Sequence, residues 1–81
     1  MARTKPNPNN WRALIMRERL KRERQLAGLT QAQLAEKVGI CQQTVSKHEK
    51  GKITPGHFSL IRQYESALGV SAEYLFPDIF L

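Results

Sequence analysis

The sequence predicts an all-α fold, a compact bundle of five helices in one domain. Three observations predict it. Apolar residues recur at three- and four-residue spacing, Thr30 and Ser71 stand where they can cap a helix, and Gly28, Gly39 and Gly69 each follow the end of an apolar run. At 81 residues and 9.3 kDa the chain is near the size at which one core only just outweighs the entropy of ordering the backbone, which leaves room for one function.

Composition narrows the class. With 41% apolar and 25% charged residues the chain is expected to be globular rather than disordered. Cys41 is the single cysteine, so it offers neither an intramolecular disulfide nor a metal-ligand set, and no metal or other cofactor is expected. A lone thiol suits a reducing cytosol. The longest apolar stretch near the start, Trp11 to Met16, contains Arg12 and is too short for a secretory signal or a membrane span. Charge is unevenly placed. Residues 1–24 carry eight basic groups (Arg3, Lys5, Arg12, Arg17, Arg19, Lys21, Arg22, Arg24) against Glu18 and Glu23, whereas residues 25–81 balance at five against five. Such a field suits a polyanion, either nucleic acid or an anionic membrane surface; the plainer alternative is a solvated helix face that aids solubility.

In chain order, residues 1–10 (MARTKPNPNN) read as a flexible basic arm, because two prolines and three asparagines leave nothing to pack. Asn10 is placed to cap a helix from Trp11 to about Ala27, a run free of Pro and Gly. Ala13, Met16, Leu20 and Ala27 form its apolar side, flanked by Leu14 and Ile15, and Gly28 ends it. Thr30 and Gln33 have the spacing of a capping box, which starts the next helix at Gln31. Leu34, Ala35 and Val38 share one face, and Gly39 supplies the left-handed position that stops the helix. Ile40 and Cys41 make a short turn. The segment Gln42 to Lys50 has one clearly apolar residue, Val45, so most of its side chains must point outward. Phe58, Ile61 and Leu68, with Tyr64, fit the core face of a helix from about Gly56 to Leu68. Ser71 caps a last helix carrying Tyr74, Leu75 and Phe76 before Pro77. Residues 77–81 form a short apolar tail, which either folds back on the core or meets a second subunit.

The outward side chains of 42–50 suggest chemistry. A glutamine amide donates and accepts in one plane and matches adenine N6 and N7 in the major groove, so Gln42 and Gln43 at the start of an exposed helix are suited to reading base edges. Most exposed glutamines are surface residues and nothing more. The glycine hinge before them and the basic charge shift the balance toward a reading role.

Several ordered motifs then carry a resemblance: LKRERQLAGLTQAQLAEKVG, the turn, QQTVSKHEKGK, a proline, and ALGVSAEYLF. From about Leu20 to Phe76 the chain resembles the helix-turn-helix domain of the phage repressor and Cro type, the lambda-repressor-like domain of bacterial and phage regulators, here within residues 11–76. Gln31, Ala35, Gly39 and Val45 meet the first, fifth, ninth and fifteenth positions of that family's two-helix unit. The resemblance implies that Cys41, Gln42, Gln43 and Lys47 read bases, and that Lys21, Arg24, Gln31, Ser46, Lys50 and Lys52 contact the DNA backbone. It also implies that Arg24 and Glu49 form a structural ion pair. Cys41 stands where the family has a Ser or Thr cap, His48 where it has a large apolar residue, and Glu65 where it has a small Ala; the segment from Pro55 to Leu60 is one residue longer than the common pattern.

The function expected from this is a sequence-specific double-stranded DNA-binding transcriptional regulator. It is expected to be a cytoplasmic, nucleoid-associated repressor that binds an inverted repeat as a homodimer, with half-sites about 10 base pairs apart. The alternative is a protein-interaction module such as an antitoxin-like or anti-repressor subunit. A membrane-surface role is disfavoured because Glu18 and Glu23 interrupt the arginine-rich helix. No enzyme is expected: the chain lacks a Ser–His–Asp or Cys–His arrangement and a phosphate-binding glycine loop, and no effector segment for a small molecule is evident.

Overall fold

The computed structural model describes residues 17–80, which form five α-helices: α1 Glu18–Leu26, α2 Gln31–Val38, α3 Gln42–Glu49, α4 Phe58–Leu68 and α5 Ala72–Leu75. No strand occurs among the described residues. The expected arm, the Asn10 cap, Trp11 to Met16 and Leu81 lie outside them.

α2 is the helix whose boundaries local chemistry determines most completely. Thr30 Oγ1 accepts the Gln33 N–H at 3.1 Å and Gln33 Oε1 accepts the Thr30 N–H at 2.9 Å, so two of the donors stranded at the helix start are satisfied. Leu34, Ala35 and Val38 are all buried. At the far end Gly39 has φ 87, a left-handed conformation in which a side chain is strained even though open space surrounds it.

The core gathers Leu20 from α1, those three α2 residues, Val45, Ile61, Tyr64, Ala72, Leu75 and Phe76. α2 packs against both α3 and α4, α4 against α5, and α1 reaches α3 and α5. Val45 is fully buried, and full burial of such a side chain stabilises the fold by roughly 1.5–3 kcal/mol. It is the apolar peg that seats α3.

Two expectations need correction, at Phe58 and Ala27. Phe58 is 71% exposed rather than core-facing, because α4 begins at Phe58 itself, not at Gly56, and the ring lies beside Phe80 at 6.5 Å instead of over the core. Ala27 is exposed because it is the C-cap of α1, where the chain already turns away. His48 is fully packed. Glu65, out of place for a small residue, has a use here: its Oε2 accepts the Ala72 N–H at 2.6 Å and so caps α5 together with Ser71. Within the described residues the tail folds back, with Ile79 packed against the core and Asp78 bonded to Arg17.

Candidate nucleic-acid interface

Helical rotation of about 100° per residue sorts α3 into two faces. Val45, His48 and Glu49 point inward and are buried, while Gln43, Lys47 and Lys50 form the opposite, exposed stripe. Gln42 is exposed as the first residue of α3, where no preceding turn covers it, and Ser46 is half-buried between the two faces. Lys52 is exposed in the loop that follows, and Lys21 is exposed on α1.

The N-terminus of α3 is held differently from that of α2. Cys41 is its N-cap residue, yet its side chain bonds no backbone N–H; Sγ lies 3.1 Å from Thr44 Oγ1 instead. That hydroxyl, ahead of the nearby backbone N–H groups, draws the exposed thiol below its ordinary pKa.

The C-terminal half of α3 is anchored through ion pairs and a histidine. Arg24 Nε donates to Glu49 Oε2 at 2.6 Å and Nη2 to Oε1 at 3.3 Å, while Nη1 donates to the Leu29 carbonyl at 2.8 Å. Gln31 Nε2 adds a third hydrogen bond to the Glu49 carboxylate, at 3.1 Å. Arg24 is thus buried with most of its donors engaged, and Gln31 is half-buried with one amide hydrogen still uncommitted. His48 Nδ1 lies 2.7 Å from the Tyr64 hydroxyl, with the two rings edge to face. Burial, and secondarily the charge of Arg17, pushes the His48 imidazole down to about 4, so it is neutral at pH 7. Burial also raises the Tyr64 phenol, with Glu49 adding to the effect and Arg17 opposing it.

The residue that reading the sequence missed is Arg17. It is one of the eight basic groups that give residues 1–24 their charge, but its side chain is fully buried and pairs with Asp78 at 2.9 Å. Arg17, Leu20 and Arg24 fall at i, i+3 and i+7 on one buried stripe of the first helix. An arginine in a core-facing stripe requires a buried acid, and that spacing was the available signal. With Arg17 and Arg24 neutralised inside the fold, the basic surface of α1 rests on Arg19, Lys21 and Arg22. Arg19 itself stacks over the Tyr74 ring at 4.7 Å.

Among the described residues no cluster of three or more His, Cys, Asp or Glu could hold a metal, and no helix is long and apolar enough to cross a membrane. A capped helix, a glycine hinge and a second helix with a polar, exposed outer face define the helix-turn-helix class of domain. The chain belongs to the helix-turn-helix family HTH_3, whose model matches residues 20–75. It is also 39% identical over 66 residues to an uncharacterized HTH-type transcriptional regulator of Methanothermobacter thermautotrophicus; the alignment spans 82% of this chain and 90% of the relative. The resemblance read from the sequence is borne out by both matches.

Proposed function

We propose that this protein is a transcriptional regulator that binds double-stranded DNA sequence-specifically, with α3 in the major groove. The observation that carries the reading is the two-faced α3: Val45, His48 and Glu49 lock it inward while Gln43 and Lys47 stand outward beside Gln42. The family membership and the regulator name of the Methanothermobacter relative support it.

Gln42 and Gln43 read base edges with Lys47 and Cys41, and Lys50, Lys52, Ser46 and Lys21 contact phosphates. Gln31 uses its remaining amide hydrogen on a phosphate while its other one holds Glu49. Arg24 acts from behind, by fixing Glu49 and so Gln31. The protein acts as a homodimer on an inverted repeat, and occlusion of a promoter makes it a repressor. The exposed pair Phe58 and Phe80 supports self-association on the side of α4 and the tail. The same pair supports, as the second reading, a protein-interaction module that uses this surface on a different partner. No catalytic chemistry is assigned, and the site of action is the nucleoid.

Selection of bound sequences from random duplex DNA tests the reading, since it returns specificity and half-site spacing together. Gln43→Ala should then relax preference at one position of each half-site, at a cost of roughly 1–3 kcal/mol. Equal losses on selected and random duplexes would overturn the base-reading assignment.

A further inference from the structure

We propose that Arg17 and Asp78 form a clasp that positions the loop bearing Lys50 and Lys52 against the nucleic-acid backbone, which makes the C-terminal tail part of the binding machinery. The proposal rests on the DNA-binding reading above.

The loop begins where α3 ends. Gly51 is left-handed at φ 72, its N–H donates to the His48 carbonyl at 3.2 Å, and the Lys52 N–H donates to the Lys47 carbonyl at 2.9 Å. These two bonds form the standard glycine closure of a helix. They turn the chain so that Lys50 and Lys52 both remain exposed. Arg17 then spans the loop: Nη1 donates to the His48 carbonyl at 2.8 Å on one side and to the Ile53 carbonyl at 3.0 Å on the other, while Nη2 donates to Thr54 Oγ1 at 3.1 Å. Asp78 orients the guanidinium, accepting from Nε at 3.1 Å and from Nη2 at 2.9 Å. The Phe76 ring lies against the guanidinium, 5.2 Å from its carbon.

A guanidinium has five N–H donors, and the five bonds above use all of them. Arg17 therefore has nothing left to offer a phosphate. It is a positioning residue that acts through the loop it spans, and a lysine could not reproduce the planar fork. Gln42 and Gln43 lie at the opposite end of α3, seated by Val45, so the clasp bears on backbone affinity and not on sequence preference.

The test uses the full chain with the variants Asp78→Asn, Lys50→Ala and their combination, plus Thr54→Val as a second, milder loosening of the clasp. Affinity is measured for a selected duplex and a random duplex across salt concentrations, at a temperature where circular dichroism shows each variant folded. Asp78→Asn should weaken both duplexes by the same factor, about 3- to 10-fold, with a shallower salt dependence, and Thr54→Val should shift both the same way by less. In the Asp78→Asn background the loss from Lys50→Ala should shrink, because the lysine is already misplaced. Wild-type affinity in folded Asp78→Asn and Thr54→Val, or multiplicative losses in the combined variant, would overturn the clasp while leaving DNA binding intact. If the wild-type chain bound neither duplex, the DNA-binding reading itself would fall, and the clasp with it.

Discussion

Two buried arginines hold α3, and they differ in reach. Arg24 ties α1 to Glu49 across 25 residues and keeps its remaining contacts near the helix-turn-helix unit, on the Leu29 carbonyl and, through Glu49, on Gln31. Arg17 ties the start of α1 to the tail across 61 residues and to two carbonyls at and beyond the end of α3. The first clasp concentrates on one carboxylate; the second divides its donors among four residues. Without its acid Arg24 keeps one acceptor and Arg17 keeps three, so the second clasp retains more of its stabilising bonds even where the loop geometry loosens.

Removing the two acids tests that difference most sharply. Glu49→Ala leaves Arg24 with the Leu29 carbonyl alone and also frees Gln31, so a loss near the 3–5 kcal/mol typical of breaking a buried pair is expected. Asp78→Ala should cost clearly less. Arg17 keeps His48, Ile53 and Thr54 as acceptors, and the Asp78 side chain is 15% exposed, so water can reach the vacated site. Urea unfolding of the two variants measures both values, and equal losses would show that the number of remaining acceptors does not matter.

The same contrast explains what could be read without a structure. The Thr30 capping box, the buried set Leu34, Ala35, Val38 and Val45, and the left-handed Gly39 depend on neighbours within about one or two helical turns. They were legible for that reason. The Arg24–Glu49 pair spans a longer gap and was reached through the resemblance, not through spacing. The Arg17–Asp78 pair belongs to no such pattern, since nothing local says which acid among Glu36, Glu49, Glu65, Glu73 and Asp78 will meet an arginine placed on a core stripe. Phe58 failed for the opposite reason: its spacing to Ile61 was right, but spacing does not reveal where a helix begins relative to the core it covers.

His48 lies between the two clasps. Its carbonyl accepts from Arg17, its ring faces Tyr64, and Glu49 is the next residue. The folded imidazole titrates near 4 against an ordinary value of 6.5, so between those pH values the unfolded chain binds the proton and the folded chain does not. Stability contributed by the neutral ring is therefore full above about pH 6.5 and is lost as pH falls toward 4, with a slope of up to about 1.4 kcal/mol per pH unit. His48→Gln, which can still meet the Tyr64 hydroxyl, should remove that component. The check is the urea midpoint of both proteins from pH 4 to 7; parallel curves would mean that His48 protonates as readily folded as unfolded.

The smallest effect concerns the end of α3 that neither arginine reaches. Both clasps grip its C-terminal half, and Cys41 leaves its N-terminus without a side-chain cap, while α2 next to it is doubly capped by Thr30 and Gln33. Cys41→Ser places a hydroxyl where it can accept the Thr44 N–H, in the backbone conformation that Cys41 already adopts at φ -85 and ψ 158. A stability gain of about 0.5–1 kcal/mol is expected, read as a rise in melting temperature. Should the substitution leave the melting temperature unchanged, the two clasps already hold α3 so firmly that its first turn adds nothing to global stability. The N-terminal turn carrying Gln42 and Gln43 would then be a locally loose segment on a helix fixed from behind, and amide exchange at Gln43 and Thr44 faster than at His48 and Glu49 would identify it as such.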